Sequence, residues 1–171
     1  MMTAAAGSLA SVDVIKRELL QAIDQESLET IRLASKEFSE GAYAYAWHHY
    51  EAGRYQEAYD LFVLLAALRN GEKKIWMGLG ATAQMLKRYK EATEAYSVAA
   101  HLDEELNDPY PHFHAAECFY TMGDVKNAWR ALEGARKVAD RLEGEDLLKS
   151  RIQMLRKSWY PQAKALAKKI K

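Results

Sequence analysis

The sequence predicts an all-α solenoid of helix-turn-helix repeats. Two observations carry this: a self-similar segment that recurs about every 34 residues, and alanine or glycine at matching places in each copy. The recurring segments are GRYQEAYDLFVLLAAL from Gly53, KRYKEATEAYSVAAHL from Lys87 and GDVKNAWRALEGARKV from Gly123, which superpose without gaps. Ala58 to Ala92 spans 34 residues and Ala92 to Ala128 spans 36.

Thirty-four residues is the tetratricopeptide period, whose pattern W-x2-L-G-x2-Y…A-x3-F places two antiparallel helices in each repeat. Trp76, Leu79 and Gly80 supply the first part of the pattern upstream of the second segment. Ala46, Gly80 and Ala116 share one place in the first helix of each repeat, and Ala58, Ala92 and Ala128 share one in the second. Small residues there let the two backbones approach. The two surplus residues before the third repeat fall in the turn-rich DEELNDPYP.

The elements follow in order. Residues 1–10 are expected to be disordered. Residues 11–37 read as an N-terminal capping helix, opened by Ser11 and carrying Ile15, Leu19, Ile23, Leu28 and Ile31 at helical spacing. Residues 38–144 hold the three repeats. Residues 145–159 read as a C-terminal capping helix with Leu148, Ile152, Leu155 and Trp159 on one stripe, stopped by Pro161, and 160–171 as a basic tail. Stacked repeats bury a continuous core only through their neighbours, so the ends need such caps.

Composition narrows the function classes. At 171 residues the chain can bury roughly 70% of its unfolded surface. Lys plus Arg and Asp plus Glu are both 24, but residues 149–171 carry eight basic residues and no acid, leaving the first 148 at −8. One cysteine rules out an intramolecular disulfide and fits a reducing compartment. The opening MMTAAAGSLASVDV lacks the features of a secretory signal, and no apolar run reaches the roughly 18 residues of a membrane span. The expectation is a cytoplasmic protein.

The stretch NDPYPHFHAAEC has the residue types of a metal or redox site. In the repeat frame, however, Asp108–Pro111 begin a helix, where proline is tolerated. His112 and His114 then point roughly 200° apart, too far to share an ion. The adjacent His48 and His49 diverge for the same reason, and Cys118 occupies a packing position. No nucleotide-binding, nucleophile-elbow or zinc-protease motif occurs. Neither cofactor nor metal nor enzymatic activity is expected, and function is assigned to a surface.

The first helices of such repeats line a concave face. The corresponding residues are Tyr43, Trp47 and Tyr50 in repeat one, Met77, Ala81 and Gln84 in repeat two, and Phe113, Glu117 and Tyr120 in repeat three, each triple spaced i, i+4, i+7. They describe an aromatic and aliphatic groove for an extended apolar peptide or short helix. Some of these rings could instead pack under the N-terminal helix. Tyr43 and Trp47 stand where a carboxylate-clamp cochaperone would carry lysine and asparagine, so that clamp is absent. Leu61, Leu64 and Leu68 form a further stripe beside the repeat's own Phe62 and Leu65, and are expected at a dimer interface.

WMGLGA at 76–81, DPYPHFHAAEC at 108–118 and GDVKNA at 123–128 carry a resemblance that spans about residues 11–158. The chain resembles the class II, tetratricopeptide-type chaperones of bacterial type III secretion. That resemblance implies a cytoplasmic, usually dimeric chaperone that grips a P-x-L-x-x-P-like segment of a translocator protein in the concave groove before export. The basic end after Trp159 is longer than the resemblance leads one to expect. The rival readings are a general tetratricopeptide adaptor and an anionic-surface or nucleic-acid binder acting through residues 149–171.

Overall fold

The structure is a computed structural model that describes residues 36–105 and 107–169. Among the described residues there are seven α-helices and no strand: α1 Lys36–Glu51, α2 Tyr55–Leu68, α3 Lys73–Met85, α4 Tyr89–His101, α5 Tyr110–Thr121, α6 Val125–Ala139 and α7 Asp146–Lys169. The capping helix expected over 11–37 lies outside the described residues, apart from its last two, which belong to α1. The chain divides into two compact units, one up to Thr82 and one from Ala83 onward.

The first unit is built on the α1–α2 hairpin. Its turn closes when the Gly53 N–H donates to the Tyr50 carbonyl and the Arg54 N–H to that of His49. Ala46 and Ala58 are fully buried at the crossing, as their place in the repeat requires. On α2 the buried Ala58, Phe62, Leu65 and Ala66 follow at i, i+4, i+7 and i+8, one stripe of a helix. They join Ala42, Ala46 and Ile75 in a core cluster. Gly78 of α3 lies against Phe62, and a Cβ there would come within 2.4 Å of the ring.

The second unit packs α4 on α5, α5 on α6 and α6 on α7. Its two helix-helix turns repeat the hydrogen-bond pattern of the first: Lys87 to Gln84 and Arg88 to Ala83, then Gly123 to Tyr120 and Asp124 to Phe119. Asp124 also caps α6, its carboxylate accepting from the Asn127 N–H at 3.1 Å. The longer connection into α5 is pinned by two carboxylates. Asp103 accepts from the Asp108 N–H at 2.8 Å, and Asp108 from the Tyr110 N–H at 2.9 Å.

Helix α7 buries Leu148, Ile152 and Trp159, with Leu155 half-buried, against a core of Phe113, Ala116, Ala128, Leu132, Ala135 and Ala139. It does not stop at Pro161, as the sequence reading expected, but runs through it to Lys169. Proline removes one helical N–H, the one that would reach the Lys157 carbonyl. Both residues are exposed, so water can satisfy that carbonyl, and the following AKALAKK favours helix. No helix among the described residues is long and apolar enough to cross a membrane.

Candidate functional site

Helix spacing puts Tyr43, Trp47 and Tyr50 on one side of α1, and packing sets how much of each ring shows. Tyr43 is half-buried, its edge on Phe62 at 5.7 Å and the Lys74 ammonium 5.0 Å from its ring centre. Trp47 is the outermost, 39% exposed. Its indole stacks on Tyr50 at 5.0 Å and 21°, while its Nε1 donates to the Glu51 carboxylate at 3.0 Å. Tyr50 is half-buried and rests its ring against Tyr55 at 5.5 Å. Burial pushes the Tyr43 and Tyr50 hydroxyls up from their ordinary value, with Tyr55 adding to the shift at Tyr50. The stack is therefore neutral: a flat aromatic platform on a rigid helix. Met77 and Ala81 of α3 are half-buried. Lys74 and Glu51, which flank the rings, were not picked out from the sequence, because polar residues on a helix surface carry no distinguishing pattern.

In the second unit the predicted groove residues are already engaged. Gln84 accepts from the Tyr96 hydroxyl at 2.9 Å. Phe113 is 1% exposed and belongs to the core cluster, with the Arg151 guanidinium 5.1 Å over its ring. Its ring therefore lies beneath Arg151 in the core rather than facing outward as a groove residue. Glu117 pairs with Arg151 at 2.8 Å and lies 3.3 Å from the His114 ring nitrogen. Tyr120 stacks on Trp159 at 4.2 Å, the rings nearly parallel, and its hydroxyl donates to Gln162 at 3.3 Å. Helix α7 thus lies along the side of α5 that carries the third triple. The sequence placed these residues on one stripe of a helix but did not show that the chain's own last helix covers it.

The two histidines of the PYPHFHAAEC stretch separate as expected. His112 packs beside Gly134 of α6, whose added Cβ would meet the imidazole at 3.3 Å. Burial lowers its pKa against the pull of Asp103 and Asp108. His114 instead stacks on Tyr96 at 5.5 Å and on Tyr110 at 6.2 Å. Cys118 is fully buried, and burial, aided by Glu117, pushes its thiol up to about 12, leaving it inert as a nucleophile at neutral pH.

The leucine stripe of α2, expected at a dimer interface, is partly covered within its own unit. Leu61 and Leu64 are half-buried against the core of their own unit, and Leu68 is half-buried as well, so the stripe is not left wet. It forms the flank of the exposed face, where Val63 is 43% exposed.

Comparison with known proteins fits this geometry. The tetratricopeptide repeat family matches residues 39–70 and 74–106. The low calcium response locus protein H of Yersinia pestis is 32% identical over 114 residues, 66% of this chain and 67% of that protein. The chaperone protein SicA of Salmonella typhimurium is 30% identical over 121 residues, 71% of this chain and 70% of SicA. Among solved structures, the type III secretion chaperone SycD of Yersinia enterocolitica in complex with a peptide of the translocator YopD superposes with a TM-score of 0.70. It has 27% identity and covers 75% of this chain and 96% of SycD. SycD is also solved as an alternative dimer. The repeat turns, the crossing alanines and these relatives agree, and the chain belongs to the class II, tetratricopeptide-type chaperones of type III secretion.

Proposed function

We propose that this protein is a cytoplasmic, non-enzymatic chaperone that holds a hydrophobic translocator of a type III secretion system before export, gripping a P-x-L-x-x-P-like segment on the aromatic side of α1. The observation that carries this reading is the Trp47–Tyr50 stack, with the Trp47 indole exposed. A translocator segment left alone would aggregate or insert into a membrane. Its chaperone must bury apolar anchors without folding the client, and shallow rigid faces meet both needs. Tryptophan and tyrosine supply such faces at low entropic cost and dominate binding hot spots, at about 2 kcal/mol or more each. Tyr43 extends the platform, and Met77 and Ala81 provide an adaptable thioether and a small neighbour on α3. The repeat-three positions Glu117 and Tyr120 would contribute only if α7 yielded them.

The test is fluorescence anisotropy of a labelled P-x-L-x-x-P peptide. Trp47→Ala and Tyr50→Ala are expected to weaken binding at least about tenfold, roughly 1.4 kcal/mol, with helical content retained. Equal affinity in wild type and both variants sinks the assignment of this face.

The dimer reading is kept in revised form. A second copy would cover the flank of α2 formed by Leu61, Leu64 and Leu68 together with the exposed Val63. Leu64 is tied to the core, so the discriminating variant is Leu68→Glu in the last turn of α2. A folded monomer in sedimentation supports this surface; an unchanged association state removes it.

A further inference from the structure

The outer side of α7 carries cations and a ring that stay exposed beside the packed helices. Gln153, Arg156, Lys157, Tyr160 and Lys164 follow at i, i+3, i+4, i+7 and i+11, a single face of the helix. Trp129 of α6 stands beside them. Its ring lies 5.9 Å from that of Tyr160, tilted by 51°. The Arg156 guanidinium sits 5.8 Å from the indole and the Lys164 ammonium 5.7 Å from the phenol. Trp129, Gln153, Arg156, Lys157 and Tyr160 line an open cleft of about 360 Å³. Tyr160 is 52% exposed, and Lys157 and Lys164 are exposed too. The opposite side of α7, with Leu148, Ile152 and Trp159, is consumed by the core.

We propose that this cleft docks a short acidic segment of a partner protein, with one apolar side chain of that segment seated between Trp129 and Tyr160. Charge complementarity argues for the partner's sign, since residues 149–171 hold eight basic residues and no acid. Arg156 is already committed to Glu133, so the incoming carboxylates are met by Lys157 and Lys164. The rings add an apolar seat and keep the neighbouring cations oriented. A continuous polyanion fits less well. Glu133 pairs with Arg156 of the lining, the first 148 residues carry −8, and the face from Gln153 to Lys164 spans only about 16 Å at 1.5 Å per residue, room for about five extended residues. A short acidic and apolar peptide satisfies each of these constraints.

The experiment uses the full chain and a fluorescent peptide in which aspartates and glutamates flank a Leu-Phe pair. The controls are the same peptide with serines in place of the pair, and labelled poly(dT). The Leu-Phe peptide is expected to bind at least about tenfold tighter than the serine peptide. The Lys157→Glu/Lys164→Glu variant should lose at least about tenfold in that affinity, with unchanged circular dichroism and unchanged binding of the P-x-L-x-x-P peptide. Both residues are exposed, so the fold is preserved, and the last readout separates this surface from the client face. The proposal is overturned if both acidic peptides bind equally, if poly(dT) binds as tightly as the Leu-Phe peptide, or if the charge reversal leaves affinity unchanged.

Discussion

Lys87 occupies the turn position that glycine holds in the other two repeats, and the backbone there is the same. Its φ is 61°, beside 75° at Gly53 and 79° at Gly123. A side chain in this left-handed region meets its own carbonyl, at a cost of about 1 kcal/mol or more that glycine avoids. Lys87→Gly is therefore expected to stabilise the protein by about 1 kcal/mol in urea unfolding; a loss of stability would mean the lysine makes a compensating contact. The gapless alignment of Gly53, Lys87 and Gly123 already implied a shared turn. Gly78 was not legible in the same way, because it lies outside the repeat pattern and its constraint comes from Phe62, sixteen positions away in sequence. The ring is fully buried and has nowhere to retreat. Gly78→Ala should destabilise the first unit by about 1–3 kcal/mol through overpacking, read as a lower denaturation midpoint at constant m-value.

At the scale of elements, α7 is held to α6 by more than its apolar stripe. Glu133 of α6 accepts from Arg136 on its own helix at 3.1 Å and from Arg156 of α7. Burial acts to raise the Glu133 carboxyl, and the hydrogen bonds from the two arginines outweigh it, holding its pKa below the ordinary 4.5. A carboxylate depressed by folding contributes stability that is full above the unfolded value and is lost as pH falls through the folded one. The α6–α7 contact should hold above about pH 4.5 and weaken progressively below it. Thermal melts taken from pH 6 to about 3 should show Glu133→Gln less stable at the upper end and converging with wild type at the lower. Parallel curves across that range would show that the bridge adds nothing. The stripe of Leu148, Ile152, Leu155 and Trp159 announced this helix in the sequence. Its passage through Pro161 did not follow from the residue type, because the cost of proline depends on whether water reaches the deprived carbonyl.

For the molecule as a whole, the nine residues read as one groove divide into two physical kinds. Trp47 is exposed and stacked on the half-buried Tyr50, whereas Phe113 is a core side chain under Arg151. Alanine at the two kinds of site should do different things. Trp47→Ala should leave the unfolding midpoint within about 0.5 kcal/mol of wild type while weakening the client peptide. Phe113→Ala should cost about 3–5 kcal/mol through the cavity it opens among Ala116, Ala128 and Leu132. Circular dichroism melts run beside the anisotropy titration separate them, and a Phe113→Ala protein of native stability would return that residue to the binding face.

The sequence by itself determined the repeats. Their period and the small residues at Ala58, Ala92 and Ala128 are local or strictly periodic requirements, so each copy states them again. The buried thiol of Cys118 and the divergence of His112 from His114 follow from the same helical frame. Only the tertiary structure decided which stripe residues stay exposed. The sequence gives Phe113, Glu117 and Tyr120 the same spacing as Tyr43, Trp47 and Tyr50. What separates them is Arg151 and Trp159 arriving from a helix some forty residues further on. The leucines of α2 are likewise half-covered, since burial depends on which element packs alongside, and helical periodicity carries no record of that neighbour.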